Sequence, residues 1–359
     1  MKKYFILIIF FSIISFSNVY SQWIRQHIAT DFVAYDIRFI DKSTGWICGD
    51  TRIFKTTNSG FNWVQQPNPS QSTLFQIHPV NKDVVYAAGY CTILKTTNGG
   101  DNWISIRTGS LPCPFRLRAI WFINENTGWF CGDRFTIRTT DGCKTLIDSV
   151  ALNATLFDIH FKDSLTGIAT SGGRTFRTEN SGVNWQEIPL AVGTMTPLNY
   201  RETFMGNTGW TAGTSNVVSK TTNYGISWDS ISSIENGFDQ IFSIEFGNEL
   251  TGYAGGNNRK LHKSTDGGYT WFAQAVSQFG PATYGSIYAY DANIVWVAGG
   301  YDFILYTNNG GLTETKQLSN LMPADFRLHQ NFPNPFNPKT QISYDVLKRG
   351  KVKIEIIDL

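Results

Sequence analysis

The chain has 359 residues, 42% of them hydrophobic and 14% aromatic, with 33 Gly and 30 basic against 28 acidic side chains for a formal charge of +2. That balance supplies no concentrated basic face for nucleic acid, and aromatic residues punctuated by Gly and Asn describe strands and turns. Cys48, Cys91, Cys113, Cys131 and Cys143 are too odd a number for a complete disulfide framework, and no Cys-x-x-Cys or Cys/His cluster offers a metal site.

At the N-terminus Lys2 and Lys3 precede an apolar stretch, Tyr4 to Phe16, and Val19-Tyr20-Ser21 supplies the small residues of a cleavage point. The stretch spans 13 residues, short of the ~20 that cross a bilayer as a helix. The expectation is a signal peptide over 1–21 and a secreted mature chain that begins at Gln22 and holds no membrane span. A retained anchor is the alternative.

The chain then repeats itself. Seven turns align: Thr57-Asn58-Ser59-Gly60, Thr97-Asn98-Gly99-Gly100, Thr140-Asp141-Gly142, Glu179-Asn180-Ser181-Gly182, Thr222-Asn223-Tyr224-Gly225, Thr265-Asp266-Gly267-Gly268 and Thr307-Asn308-Asn309-Gly310. Their Asn or Asp residues recur every 39 to 43 residues, and five positions after the first six stand Trp63, Trp103, Leu146, Trp185, Trp228 and Trp271. Upstream lies a second element, Thr44-Gly45-Trp46, Thr127-Gly128-Trp129, Thr166-Gly167-Ile168, Thr208-Gly209-Trp210 and Thr251-Gly252-Tyr253.

Each unit reads as four short strands; in the first these are Tyr35 to Phe39, Gly45 to Cys48, Ile53 to Thr56 and Asn62 to Gln65. Four-stranded units of about 40 residues are propeller blades, whereas helical solenoids require amphipathic helices that are not seen here. The expected fold is an all-β, seven-bladed β-propeller over 22–320. In each turn the Asn or Asp side chain can bond nearby backbone, Gly takes the positive φ that closes the hairpin, and the following Trp packs between blades. Asn58, Asn98, Asp141, Asn180, Asn223, Asp266 and Asn308 are therefore read as structural locks.

The seventh copy lacks its Trp, since Thr313 stands five residues after Asn308. Gln22-Trp23-Ile24-Arg25-Gln26 resembles Asn62-Trp63-Val64-Gln65-Gln66, so the N-terminal strand is expected to complete blade seven and remove the open sheet edges. A separate outer strand over Gly311 to Leu318 is the alternative.

Ser264-Thr265-Asp266-Gly267-Gly268-Tyr269-Thr270-Trp271 matches the Asp-box repeat, Ser/Thr-x-Asp-x-Gly-x-Thr-Trp, at every position. The arrangement resembles propellers of the photosystem II assembly-factor type and related secreted bacterial proteins, over roughly residues 22 to 320. That resemblance implies a fold more than an activity, because sialidases, xyloglucan hydrolases, sorting receptors and assembly factors all carry the motif.

The residues offer little for catalysis. Tyr200, Arg201 and Glu202 are adjacent, but consecutive strand residues point to alternate faces and do not share one target. Phe115-Arg116-Leu117-Arg118 is only an echo of the sialidase segment, and sialidases normally have six blades. A xyloglucanase-like site needs two carboxylates across a cleft between tandem propellers; Asp50 and Asp133 follow strand two in different blades, as repeat duplication alone would place them. His78 and His160, at equivalent strand-one positions, are read as structural, and no cofactor or phosphate-binding motif is present.

A binding face follows from topology instead. Strand two–three loops and inter-blade connectors share the face opposite the Asp-box turns, and those loops carry Asp50, Arg52, Tyr90, Asp133, Arg134, Arg174, Asn258, Arg259, Tyr301 and Asp302. Mixed charge with tyrosines suits a protein or glycan ligand; a solvated rim is the alternative. Two long connectors, Ile104 to Arg118 and Pro189 to Tyr200, would shape this face. Cys91 and Cys113 both fall on it and could form a disulfide, whereas Cys48 and Cys131 are expected to be buried thiols.

After Leu321-Met322-Pro323 the repeat stops. Phe326-Arg327-Leu328-His329-Gln330-Asn331-Phe332-Pro333-Asn334-Pro335-Phe336-Asn337-Pro338, continued by Thr340, Ile342 and Tyr344, resembles the C-terminal sorting domain of the type IX secretion system. Gln341 to Val346 and Lys351 to Ile356 alternate as strands do. The resemblance implies a partial β-sandwich over 321–359, type IX machinery as a partner, and release or attachment at the outer-membrane surface. The leading expectation is thus a non-catalytic exported propeller; a diverged carbohydrate-active hydrolase and an assembly or chaperone factor are the alternatives.

Overall fold

In the computed structural model, the structure describes residues 23–28, 32–106, 115–148, 151–190, 199–213, 216–234, 240–257, 260–276, 279, 283–300, 303–311, 327–328 and 344–345. The repeats form seven four-stranded antiparallel sheets. Blade one consists of Asp36–Phe39, Gly45–Gly49, Arg52–Thr56 and Val64–Gln66, within two residues of the expected bounds. The inner strands of blades two to seven are Leu74–Pro79, Leu117–Phe122, Leu156–Phe161, Asn199–Met205, Ile241–Phe246 and Tyr284–Ala289. Neighbouring inner strands pack together in chain order, and that of blade seven packs on that of blade one.

The ring is closed by the N-terminus. Ile24–Gln26 forms the outer strand of blade seven, paired antiparallel with Phe303–Thr307 in the register Ile24↔Tyr306 and Gln26↔Ile304. Trp23 is 3% exposed, and its indole lies where a Cβ on Gly311 would sit. The Trp103 and Trp228 indoles lie beside the corresponding glycines, with Nε1 3.4 and 3.5 Å from where a Cβ on Gly100 and Gly225 would sit.

Turn chemistry is nearly identical in all blades. In blade one the Thr56 hydroxyl donates to Asn58 Oδ1 (3.0 Å) and accepts from the Gly60 amide (2.9 Å), while Asn58 Oδ1 accepts from the Asn62 amide (2.8 Å). Two consecutive residues take positive φ, Ser59 at 62° and Gly60 at 86°. In blade three the second of these is Cys143, at 69°. Blade seven differs from the sequence reading. Thr307 bonds Asn309 Oδ1 (2.9 Å) and the Gly311 amide (3.0 Å), so the locking residue is Asn309 and not Asn308.

The Thr-Gly-Trp element is a packing device. The Phe39 ring lies across Gly45 where a Cβ would be, as Phe122 lies across Gly128 and Phe161 across Gly167. In blades two and seven, Pro79 and Ala289 pair instead with Val85 and Val295, so a smaller partner goes with a larger strand-two residue. Where the next blade carries Phe, a strand-two aromatic stacks on it, as Trp129 does on Phe161 with ring centroids 3.6 Å apart. Its indole then reaches the next blade's turn: Trp46 Nε1 donates to Gly99 O (3.2 Å) and Trp210 Nε1 to Gly267 O (2.9 Å). Lys220 sits over the Trp210 ring and donates to that same Gly267 carbonyl at 3.2 Å. The Asp-box turn is therefore a lock for its own hairpin and a catch for the preceding blade.

In the C-terminal unit, residues 315–359, Arg327–Leu328 pairs antiparallel with Tyr344–Asp345. The sorting-motif residues Asn331 to Pro338 and the remaining strands of the expected sandwich lie outside the described residues, as does the expected signal peptide. No helix among the described residues is long and apolar enough to cross a membrane.

Candidate functional site

Backbone hydrogen bonds define the two faces. Ser59 bonds Ser43 and Gly99 bonds Asp83, which joins Asp-box turns to strand one–two turns. Leu74 bonds Asp50 and Cys91 bonds Phe115, which joins strand two–three loops to connectors. On the connector face, Asp50 Oδ2 accepts from the Val33 amide (3.1 Å) and lies 3.8 Å from Arg52 Nη2. Asp133 pairs with Arg118 Nε at 3.0 Å, and Arg174 with Glu187 at 3.3 Å. Both aspartates are thus engaged locally. Tyr90 and Arg134 are exposed on the rim, whereas Asn258, Arg259, Tyr301 and Asp302 lie outside the described residues. Cys91 is disulfide-bonded; Cys113, its expected partner, lies outside the described residues. Cys48, Cys131 and Cys143 are buried free thiols.

Two cavities on the propeller axis contain none of these loop residues. The one on the connector face, about 520 Å³, is walled by Tyr35, Phe75, Phe157 and Phe242 together with Arg118 and Arg201. These rings come from the residue at or next to the start of the inner strands of blades one, two, four and six. Tyr35 and Phe75 meet edge to face with centroids 5.8 Å apart, and the Arg118 guanidinium lies 5.1 Å from the Phe157 ring centre.

Beneath this basin the inner strands are tied by polar side chains. Asp36 Oδ2 accepts from the Ile77 amide (3.1 Å), Asp158 Oδ2 from the Glu202 amide (3.2 Å), Ser243 Oγ from the Ile287 amide (3.0 Å), and Ser286 Oγ from the Ile37 amide (3.3 Å). Gln76 Oε1 does the same for Ile120. In five blades the residue before the central Ile thus holds the next blade's backbone. Ala119 and Arg201 break the girdle. Arg201 reaches across the axis instead, with Nη2 3.1 Å from Asp36 Oδ1, and its Nη1 has no hydrogen-bond partner.

The second cavity, about 280 Å³, opens toward the turn face and is lined by Arg38, Trp121, Asp158, Glu202, Glu245 and Tyr288 among others. His78 and His160 flank Trp121, at ring-centroid distances of 5.0 and 4.2 Å. Burial lowers His78 to about 4 and His160 to about 3, so both are neutral near pH 7. His78 Nε2 lies 3.1 Å from Phe122 O, and His160 Nδ1 lies 2.8 Å from the Tyr224 hydroxyl. Burial also raises Glu245 to about 7 despite Arg38, and raises Glu202 well above the usual carboxylate range, with Asp158 adding to the effect.

Sequence reasoning missed this axial set. A signal was present in the recurrent dipeptides Asp36-Ile37, Gln76-Ile77, Asp158-Ile159, Ser243-Ile244 and Ser286-Ile287, and in Glu202 where Ile is otherwise found.

Seven four-stranded sheets with Asp-box turns place the chain among seven-bladed β-propellers. Residues 16–118 match the protein family described as photosynthesis system II assembly factor YCF48. Among solved structures, one described as YCF48 bound to D1 peptide is similar over 80% of this chain and 97% of its own, with 18% identity and a TM-score of 0.68. A streptogramin B lyase aligns over 82% of this chain and 100% of its own at 14% identity and a TM-score of 0.67. A GH74 xyloglucanase from Xanthomonas campestris aligns over 81% of this chain and 54% of its own, at 14% identity and a TM-score of 0.62. Such similarity defines the fold, which hosts binding proteins and enzymes alike. No curated protein is similar enough in sequence to match.

Proposed function

We propose that the chain is an exported, non-catalytic propeller that binds a protein ligand over the connector-face basin. The observation that carries this reading is the basin itself, a cavity of about 520 Å³ walled by aromatic rings from four blades and by Arg201. Aromatic rings supply large contact area at low side-chain entropy cost, as protein-binding surfaces require. The partnerless Arg201 Nη1 suits an acceptor brought by the ligand, such as a main-chain carbonyl. The relative described with a bound peptide favours a protein ligand over a polysaccharide, and an assembly-type role over a hydrolytic one. Against hydrolysis, Asp50 is held by the Val33 amide and Asp133 by Arg118.

Export rests on sequence alone: the Lys2-Lys3 apolar leader and the likeness of Phe326 to Pro338 to type IX sorting domains. On this reading the secretion machinery is a transient partner, and the destination is the medium or the outer-membrane surface.

The full chain, presented with a displayed random-peptide library and a glycan panel, is expected to select peptides and to release no sugar. Reducing-end release that disappears in Asp50→Ala or Asp133→Ala would overturn the reading. Terminal sequencing of exported protein tests the leader, with Gln22 as the expected first residue.

A further inference from the structure

The turn-face cavity is short of positive charge. Four carboxylates, Asp36, Asp158, Glu202 and Glu245, lie at or beside it, with two guanidinium groups, Arg38 and Arg201. Both arginines lean on Asp36, at 3.6 Å from Arg38 Nε and 3.1 Å from Arg201 Nη2. Arg38 also lies 3.6 Å from Glu245. Asp158 and Glu202 have no ion-pair partner among the described residues, and the neighbouring histidines are neutral.

Glu202 is the decisive residue. It replaces the Ile that other inner strands bury, is 8% exposed, and lines the cavity with neither carboxylate oxygen hydrogen-bonded. A buried carboxylate with no donor is costly unless it is protonated or a cation reaches it. We infer that the turn-face cavity is a binding site for a small organic cation, an alkylammonium or alkylguanidinium, whose charged head is taken by Glu202 and Glu245 and whose stem packs against Trp121. Aromatic walls beside carboxylates are what such ions need. A metal ion fits less well, because no three described His, Cys, Asp or Glu side chains converge as ligands. A volume near 280 Å³ admits a stem of a few carbons.

The ion competes with protons. Burial shifts Glu202 and Glu245 toward their protonated forms, and they face Asp158 and His160 from blade four, His78 from blade two, Arg38 and Asp36 from blade one, Arg201 from blade five and Tyr288 from blade seven. Cation affinity therefore rises with pH as Glu245 ionises, and protons are released on binding.

Titration calorimetry of the full chain with n-butylguanidinium chloride tests this. Saturable binding is expected at pH 8, weaker by about tenfold at pH 6, with heats that depend on buffer ionisation and with no binding of neutral n-butylurea. Glu202→Gln should remain folded, since it removes a buried acid, and should lose affinity about tenfold; Glu245→Gln should flatten the pH dependence. Phe157→Ala, on the opposite face, should leave cation binding unchanged, which separates this site from the protein-binding basin. Absence of binding at pH 8, equal binding of butylurea, or full affinity in a folded Glu202→Gln variant would overturn the inference.

Discussion

Arg201 and Asp36, from the inner strands of blades five and one, meet on the propeller axis with Nη2 3.1 Å from Oδ1. Asp36 is fully buried and also accepts from the Ile77 amide and the Ser286 hydroxyl. Removing one partner of a buried pair costs about 3–5 kcal/mol when the other is left uncompensated, but Asp36 would keep Arg38, 3.6 Å away. Arg201→Met is therefore expected to lower stability by less than that in urea unfolding, and a double variant with Asp36→Asn to recover part of it. Additive losses would show that the two residues are not coupled.

Ring closure makes a second expectation. Trp23 is buried against Tyr253 and Gly311, so Trp23→Ala should cost about 3–5 kcal/mol. Deleting Ile24–Gln26 should in addition expose the Phe303–Thr307 edge and promote self-association, read by size-exclusion chromatography against an intact control.

The seventh turn gives a sharper test. Asn309→Ala should lower stability by about 1 kcal/mol, as loss of a capping-type bond does, whereas exposed Asn308→Ala should stay within about 0.5 kcal/mol. The reverse order of effects would restore the assignment made from spacing.

Acid titration of the cavity has a definite sign. Glu245 rises from 4.5 to about 7 in the fold, so the folded chain binds the extra proton between those values and stability falls as pH rises through that window. His78 and His160, lowered from 6.5 to about 4 and about 3, act oppositely, and their contribution is complete above pH 6.5. From pH 6.5 to 8 only the buried acids remain, Glu245 and, raised in the same direction by burial, Glu202. Urea midpoints should therefore decline over that interval, by on the order of 1 kcal/mol, and decline less in Glu245→Gln.

The repeat was legible because Asp-box chemistry is local: Thr56, Asn58 and Gly60 bond within one turn, and any copy reveals the rest. Trp23 was recoverable because it follows the same period. The slip at Asn308 arose where two asparagines precede two glycines, so that spacing alone could not choose; the hydroxyl of Thr307 does. The axial site was not legible for a different reason. Arg201 and Asp36 are 165 residues apart, and nothing in either neighbourhood names the other. The loop residues chosen from topology, Asp50, Arg52, Tyr90, Asp133, Arg134 and Arg174, form the rim of the connector face, while the basin within it is walled by strand residues such as Phe75 and Phe157.

The most direct test of the account measures the affinity of a library-selected peptide for the full chain and for variants on its two faces. Phe157→Ala and Phe242→Ala, in the basin, are expected to weaken binding at least tenfold, as loss of aromatic anchors does, while Tyr269→Ala on the turn face leaves it unchanged. Peptides that bind both basin variants as tightly as the parent chain, or that are lost only with Tyr269→Ala, would contradict the claim that the connector face is the protein-binding face.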